Sequence, residues 1–224
     1  MRAVRSTLLL ALLPLFGACQ LFTPAPLQNS NAGLTRMQGV LTAANGQLLF
    51  HPCGEPRHYV VSDTGGTSVL QEAATLASQP GSLYADIRGS FDASKTGGTD
   101  GQVNLQQVYR LTRSNSACTD PNYKNLVLQA SGQAPHWTVR VNAKGMEIQR
   151  PGQPDLALPF LEETLPDGRL DLSTEANDQR IELWIAPQRC VDSATGTVSS
   201  LTAEFRFNNE VQRGCAWFGG ARND

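Results

Sequence analysis

Short segments in which polar and apolar residues alternate, separated by turn residues, run through this chain and set its fold class. Residues 83–91 read Leu-Tyr-Ala-Asp-Ile-Arg-Gly-Ser-Phe, and residues 137–141 read Trp-Thr-Val-Arg-Val. A period of two is typical of a strand with one buried face. The segments recur roughly every eight to twelve residues, a spacing typical of small β-barrels and sandwiches. The sequence therefore predicts an all-β protein.

Two hairpins and one short helix can be placed on this pattern. Segments 39–42 and 47–50 flank a loop that ends in Asn45-Gly46, a strong hairpin signal, and 137–141 and 146–148 flank a second turn. Residues 68–77 carry apolar side chains at helical spacing, so we expect at most one or two short helices. Further strands are predicted at 58–61, 103–111, 156–161, 170–172, 181–185 and 201–207, with a returning strand after 211.

The length of 224 residues suits one large domain or two small ones. A polar stretch at 120–122 separates two runs of predicted strands, although residues 125–132 fit either half. We therefore expect two small, mostly antiparallel β-barrel or sandwich domains, at 36–121 and 122–224.

The composition excludes several classes of protein. There are 18 basic and 20 acidic residues and a formal charge of −2, which argues against nucleic-acid binding through a basic surface. The charged fraction is 17%, with 20 glycines and 13 prolines, so a long helical protein is not expected. An apolar fraction of 40% argues against a disordered chain.

The first residues predict export and a lipid anchor. Two arginines, a short apolar run and the small pair Gly17-Ala18 have the order of a signal peptide over 1–18, and the run is too short to span a bilayer. Cys19 follows directly and resembles the lipidated cysteine of bacterial lipoproteins. The resemblance implies acylation of Cys19 and cleavage before it. The alternatives are an ordinary secreted protein and an uncleaved signal anchor.

The residues after Cys19 bear on location. In enterobacterial lipoproteins an aspartate at the next position signals retention in the inner membrane, so Gln20 implies the outer membrane, facing the periplasm. Residues 19–35 are rich in Pro, Asn and Gly without apolar periodicity and predict a flexible tether. We expect the membrane, reached through the lipid on Cys19, to be one partner of the chain.

The remaining cysteines predict two disulfides, because an exported chain folds in an oxidising compartment. Three pairings are possible, and the simplest joins the cysteines within each half. The four residues concerned are Cys53, Cys118, Cys190 and Cys215. A zinc site is the alternative, but such sites usually carry cysteines in close pairs and these four are solitary.

The second half carries a family resemblance. Residues 132–137, Cys190 with Asp192 and Gly196, and the late Gly214-Cys215-Ala216 resemble a widespread family of bacterial envelope lipoproteins without an assigned activity. Its members carry Gly-x-Glu-Pro-Phe-Trp, then Cys-x-Asp-x-Met-Ser-Gly, then Gly-Cys-Ala. The match spans about 130–217, and this chain departs from it at Ala134, at His136 and at 194–195. The resemblance implies an envelope location and a β fold.

Five residues are candidates for binding. Trp137 is a possible platform, although a tryptophan in a small β-domain is more often a core residue. Asp192, Ser193 and Gly196 could contact an anion or a sugar, but their spacing also suits a tight turn after a disulfide. Trp217 closes a barrel end or forms an exposed contact patch.

Metal and catalytic chemistry have weaker candidates. His51, Cys53 and His58 are the one metal-like cluster, and a disulfide at Cys53 would remove its thiolate, so we expect no metal and no cofactor. Glu162 and Glu163 are neighbours that a strand would point to opposite faces. Common catalytic motifs such as Gly-x-Ser-x-Gly are absent.

We therefore expect a non-catalytic, lipid-anchored envelope protein that binds an unidentified protein or small-molecule partner, in envelope stress or maintenance. One alternative is an inhibitor of lysozyme or another hydrolase, which would insert the 192–196 loop into an enzyme cleft. The second alternative is a periplasmic hydrolase without a recognisable motif.

Overall fold

The alternating segments form strands that are arranged in two sheets. The computed structural model describes residues 31–44, 46–78, 81–95, 97–176, 179–208 and 210–222, and the side chains of Ala44 and Ala176 are not described. The predicted signal peptide, Cys19 and nearly all of the tether lie outside these residues. The chain divides into the units Met1–Ala32 and Gly33–Asp224, and all the described strands belong to the second.

The first half contains five strands and the helix. In chain order they are β1 (Thr35–Ala44), β2 (Gln47–Pro52), β3 (Tyr59–Asp63), α1 (Val69–Ala77), β4 (Leu83–Asp92) and β5 (Gly101–Arg113). The helix buries Val69, Ala73 and Leu76. The predicted hairpin at Asn45-Gly46 is confirmed, since Ala44 pairs with Gln47.

The second half contains eleven strands within the described residues. They are β6 (Leu126–Gln133), β7 (His136–Asn142), β8 (Gly145–Gln149), β9 (Leu156–Leu158), β10 (Leu161–Thr164), β11 (Leu170–Ala176), β12 (Gln179–Ala186), β13 (Cys190–Val191), β14 (Val198–Ser199), β15 (Leu201–Phe207) and β16 (Glu210–Phe218). Single 3-10 turns lie at Ala117–Thr119, Tyr123–Asn125 and Pro166–Gly168.

Strands β1 to β5 close into a small barrel. The order is β3-β2-β1-β4-β5, and β5 pairs back onto β3. All pairs are antiparallel except β3 with β5. The register between β4 and β5 shifts twice, around Ile87 and Gly89, and such bulges bend a strand as barrel closure requires. Phe50, Val103, Leu105 and Leu111 are buried in its core.

The second sheet is a curled half-barrel of nine strands in the order β10-β11-β12-β15-β16-β6-β7-β8-β9. All pairs of adjacent strands in this sheet are antiparallel. Its concave face packs Trp137, Met146, Leu183 and Phe205 into a separate core. The all-β prediction is therefore confirmed, with one short α-helix in the described part of the chain.

The two sheets are tied together by a hairpin from the second half. Strands β13 and β14 pair with each other, and β14 pairs with β5 of the barrel, so Val198 lies opposite Leu111. The structure contains the disulfides Cys53–Cys118 and Cys190–Cys215, the simplest of the three pairings. Cys190 lies on β13 and Cys215 on β16. The second disulfide therefore links the two sheets and does not close the second sheet on itself.

A buried ion pair forms a second tie. The guanidinium of Arg36 on β1 donates to both carboxylate oxygens of Asp86 on β4, at 2.9 and 2.7 Å. The same guanidinium donates to three backbone carbonyls at the end of β16 and just beyond it, those of Phe218, Gly219 and Arg222. The barrel thereby holds the C-terminal end of the second sheet.

No helix in the described part of the chain has the length and apolar character needed to cross a bilayer.

Candidate functional site

The segments that carry the family resemblance lie far apart in sequence and meet at one surface groove. Residues 132–134, 190–193 and 214–215 line it together with the outer faces of β12 and β15. Its volume is about 720 Å³, and the Cys190–Cys215 disulfide forms part of its wall. We call this the disulfide groove.

Trp184 is the aromatic side chain of the groove. The three tryptophans of the chain all lie among the described residues, and Trp184 is 36% exposed whereas Trp137 and Trp217 are 0% and 7% exposed. The guanidinium of Arg206 lies 4.3 Å from the centroid of its ring, a cation–π distance. The ring is thus held in place and partly open to solvent.

Charged side chains surround this ring. Arg206 donates to Glu204 at 2.8 Å, and Arg213, whose side chain is 85% exposed, lies 3.6 Å from the same carboxylate. Arg169 lines the far side of the groove. Exposed ion pairs of this kind contribute little stability, so these charges are free to exchange partners when a ligand enters.

The loop 192–197 forms the opposite wall and is held rigidly by its own aspartate. One carboxylate oxygen of Asp192 accepts hydrogen bonds from the backbone N–H groups of Ala194 (3.0 Å) and Thr195 (2.8 Å), and the other accepts from Gln133 (3.2 Å). Burial acts to raise the pKa of Asp192, but these hydrogen bonds outweigh it and the pKa is lowered. Asp192 therefore works as a turn residue that is ionised at neutral pH.

The other two loop candidates differ in exposure. Ser193 is exposed and lines the groove. Gly196 has a φ of +71°, and a Cβ on it would lie 3.2 Å from Leu76 of α1. Gly196 therefore serves the backbone of the turn and its packing on the helix, and only Ser193 of this pair lines the groove.

Trp137 is corrected from a possible binding residue to a core residue. It has no exposed surface and stacks on Phe205 with ring centroids 5.0 Å apart. It pairs across the strands with Gly132, where a Cβ would collide with the indole. Gly132 thus leaves room for the ring beneath the groove.

Trp217 does not form an exposed patch. Its ring is stacked against Tyr123, with centroids 6.5 Å apart, and lies under the guanidinium of Arg110 at 4.2 Å. It lines a smaller pocket between the two sheets. Its place is therefore the inner wall of that pocket.

The metal-like and acidic candidates lie away from the groove. The rings of His51 and His58 stack with centroids 5.4 Å apart, and Cys53 is in a disulfide and carries no thiolate. The described residues contain no group of three or more metal-ligating side chains placed to share an ion. Glu162 and Glu163 lie side by side on β10, and Glu162 pairs with Arg222 at 3.0 Å.

Trp184 and Arg206 were not among the binding residues predicted from the sequence, yet both line the groove and contact each other there. A signal for Trp184 was present, because 181–185 alternates Ile-Glu-Leu-Trp-Ile and puts tryptophan in the outward phase. An aromatic residue in the polar phase of an amphipathic strand is a surface feature, and it indicates a contact site. Arg206 lacks such a signal, since Trp184, the ring that it covers, lies on another strand.

No protein-family model, no curated protein and no solved structure matches this chain.

Proposed function

We propose that this chain is a non-catalytic, lipid-anchored protein of the bacterial envelope and that the disulfide groove binds its partner or small ligand. The anchor is Cys19, and the outer membrane facing the periplasm is the location that Gln20 favours. The observation that carries the binding proposal is the partly exposed ring of Trp184, held by Arg206 beside an open groove of about 720 Å³.

The chemistry of the groove favours a polar ligand with one flat apolar face. The indole offers stacking area, while Glu204, Arg213 and Ser193 offer hydrogen-bonding groups of both signs around it. A few polar groups around an aromatic surface are the usual composition of a specific small-ligand site. A sugar ring or a short peptide segment meets this description.

Fluorescence quenching tests the proposal directly, because Trp184 is the most exposed of the three tryptophans. The full-length protein in detergent is titrated with soluble cell-wall fragments that carry both sugar and peptide, and quenching by iodide is recorded. We expect bound fragments to protect the fluorescence, and Trp184→Ala to abolish binding in calorimetry. The control, Leu161→Ala, removes an apolar side chain that is 78% exposed and outside the groove. Unchanged quenching at millimolar fragment, or equal loss in both variants, contradicts the proposal.

The second candidate function is inhibition of a lysozyme by the loop 192–196. One observation favours it: Ser193, Ala194 and Thr195 are exposed at the tip, while the disulfide at Cys190 and the hydrogen bonds to Asp192 fix the loop from below. A rigid exposed loop loses little entropy when it enters a cleft. We expect micromolar protein to slow cell-wall lysis by lysozyme. No slowing of lysozymes of several types removes this candidate.

The anchor has its own test. Replacing Cys19 by Ser is expected to abolish palmitate labelling and to leave the signal peptide attached, which a shift in mobility detects. Labelling that persists in Cys19→Ser contradicts the lipoprotein proposal without bearing on the groove.

A further inference from the structure

A second, smaller pocket lies between the two sheets on the other side of the loop 192–197. Its volume is about 380 Å³, and it is lined by strand β5 of the barrel, by β6 and β16 of the second sheet, and by the loop. It shares Gln133, Asp192 and Cys215 with the disulfide groove. We call it the inter-sheet pocket.

Arg110 supplies an unpaired positive charge to this pocket. Its guanidinium lies over Trp217, 4.2 Å from the ring centroid, and its Nε is buried without a hydrogen-bond partner. It forms no ion pair within the described part of the chain. Asp86, the cross-strand neighbour of Arg110, already accepts hydrogen bonds from two nitrogens of Arg36 and from the hydroxyl of Tyr123 at 2.8 Å. Burial is the largest influence on the pKa of Arg110 and lowers it, and the nearby charges of Asp86 and Asp120 oppose this effect without outweighing it.

The rest of the lining consists mainly of hydrogen-bond donors. Thr112 and Thr197 share a hydrogen bond of 2.7 Å, and Ser131 and Ser199 add two more hydroxyls. Arg113 brings a second guanidinium, which donates to the carbonyl of Thr195 at 3.2 Å. The one carboxylate, Asp192, has both oxygens occupied by the loop and by Gln133. The lining therefore carries two cations against one engaged anion.

We propose that the inter-sheet pocket binds the phosphate group of a small phosphomonoester, with the guanidinium of Arg110 as counter-ion and the threonine and serine hydroxyls as further donors. A planar guanidinium can donate two parallel hydrogen bonds to a phosphate, which gives both charge and direction. A water molecule occupies about 30 Å³ of liquid, so the pocket has room for an organic group beside the phosphate. This inference stands on Arg110, which does not line the disulfide groove.

Isothermal titration calorimetry of the full-length protein in detergent tests the inference at constant ionic strength. The probes are inorganic phosphate, glycerol 3-phosphate as a monoester, and glycerophosphoglycerol as the diester found in lipid headgroups. We expect saturable binding of phosphate and tighter binding of the monoester, with the diester at least tenfold weaker because it carries one charge less. Equal binding of the diester overturns the monoester assignment in favour of a lipid headgroup. No saturable binding of any phosphate overturns the site.

Variants locate the binding. Arg110→Gln is expected to weaken the monoester at least tenfold and Arg113→Gln to weaken it less. Arg169→Gln removes the same charge from the disulfide groove and is expected to leave binding unchanged. Where Arg110→Gln fails to fold by near-ultraviolet circular dichroism, Thr197→Val removes one hydroxyl from the same pocket and is expected to weaken binding several-fold. Equal loss in Arg110→Gln and Arg169→Gln, or full binding by a folded Arg110→Gln or by Thr197→Val, overturns the proposal.

Discussion

The ion pair between Arg36 and Asp86 offers a quantitative test of what holds the two sheets together. The side chains are 8% and 1% exposed, so both charges are removed from water. Replacing Arg36 by Met keeps the aliphatic stem but removes both guanidinium hydrogen bonds to the Asp86 carboxylate, which keeps the hydrogen bond from the Tyr123 hydroxyl. It also leaves three carbonyls near the C-terminus without their donor.

Removing one partner of a buried ion pair typically costs about 3–5 kcal/mol, because the other charge stays buried and unpaired. We expect Arg36→Met to lower the free energy of unfolding by this amount. With a urea m-value of roughly 2.5 kcal/mol per molar, the unfolding midpoint falls by roughly 1–2 M. Arg36→Lys keeps the charge but loses the planar geometry, so its loss should be intermediate.

The chain contains a matched control for this measurement. Arg57 also faces a carboxylate, that of Glu55, and also lies over a tyrosine, with its guanidinium 5.8 Å from the ring centroid of Tyr59. Its side chain is 57% exposed, and Arg57→Met should leave the urea midpoint unchanged. If Arg36→Met costs less than about 1 kcal/mol, burial of the pair does not hold the sheets together and the reasoning is refuted.

Three further predictions concern the two disulfides, the Asp192 turn and a closely packed glycine. A disulfide lowers the chain entropy of the unfolded state, and the effect grows with the length of the closed loop, here 25 residues for Cys190–Cys215 and 65 for Cys53–Cys118. Replacing both cysteines by Ser should therefore lower the free energy of unfolding by about 3.5 kcal/mol for the first pair and about 4.3 kcal/mol for the second. Urea unfolding that ranks the two pairs in the opposite order contradicts the entropy argument. Asp192→Ala should cost about 1 kcal/mol at pH 7 through lost hydrogen bonds. Since the pKa of Asp192 is lowered in the folded protein, its contribution to stability is present above the unfolded pKa near 4 and is lost as the pH falls through the folded pKa. The difference in unfolding free energy between Asp192→Ala and the parent should therefore vanish in urea titrations below the folded pKa. A difference that stays constant with pH contradicts the role given to Asp192. Gly214→Ala should lower the free energy of unfolding by about 1–3 kcal/mol, because a Cβ at this position would collide with the Ser131 backbone. Gly97→Ala is the control, since a Cβ there meets no atom within 4 Å. Equal melting temperatures of the two variants refute the packing argument.

Much of the fold follows from local signals in the sequence. The segment 83–91 became β4, and the helical spacing at 68–77 became α1, which packs one face into the barrel core. In β4 the alternate residues Leu83, Ala85 and Ile87 pack into the same core, but the residues between them are buried as well, so the strand lacks the exposed face that its alternation predicts. The predicted strand at 103–111 lies within β5, whose register against β4 shifts twice. These strands and this helix depend on residues that are close together in the sequence, and a periodic pattern of apolar residues is therefore enough to predict them.

The contacts between the sheets could not be predicted in this way. Strands β13 and β14 have two residues each, which is too few to show alternation. They nevertheless place Cys190 in the sheet of the barrel, and for that reason the Cys190–Cys215 disulfide links the two sheets. Arg36 stands at the edge of the predicted tether, and its partners Asp86 and Phe218 lie far along the chain. The candidate site shares this difficulty, since the groove exists only where three distant segments meet.

The pairing of β14 with β5 has a consequence for the order in which the barrel can be completed. A polypeptide is synthesised from its amino-terminal end, so β1 to β5 emerge well before β13 and β14 do. Until then the hydrogen-bonding edge of β5 opposite Leu111 is open, and an open edge of this kind readily recruits strands of other chains. The first half is therefore open to pairing with other chains until its own late hairpin, β13 and β14, covers this edge of β5.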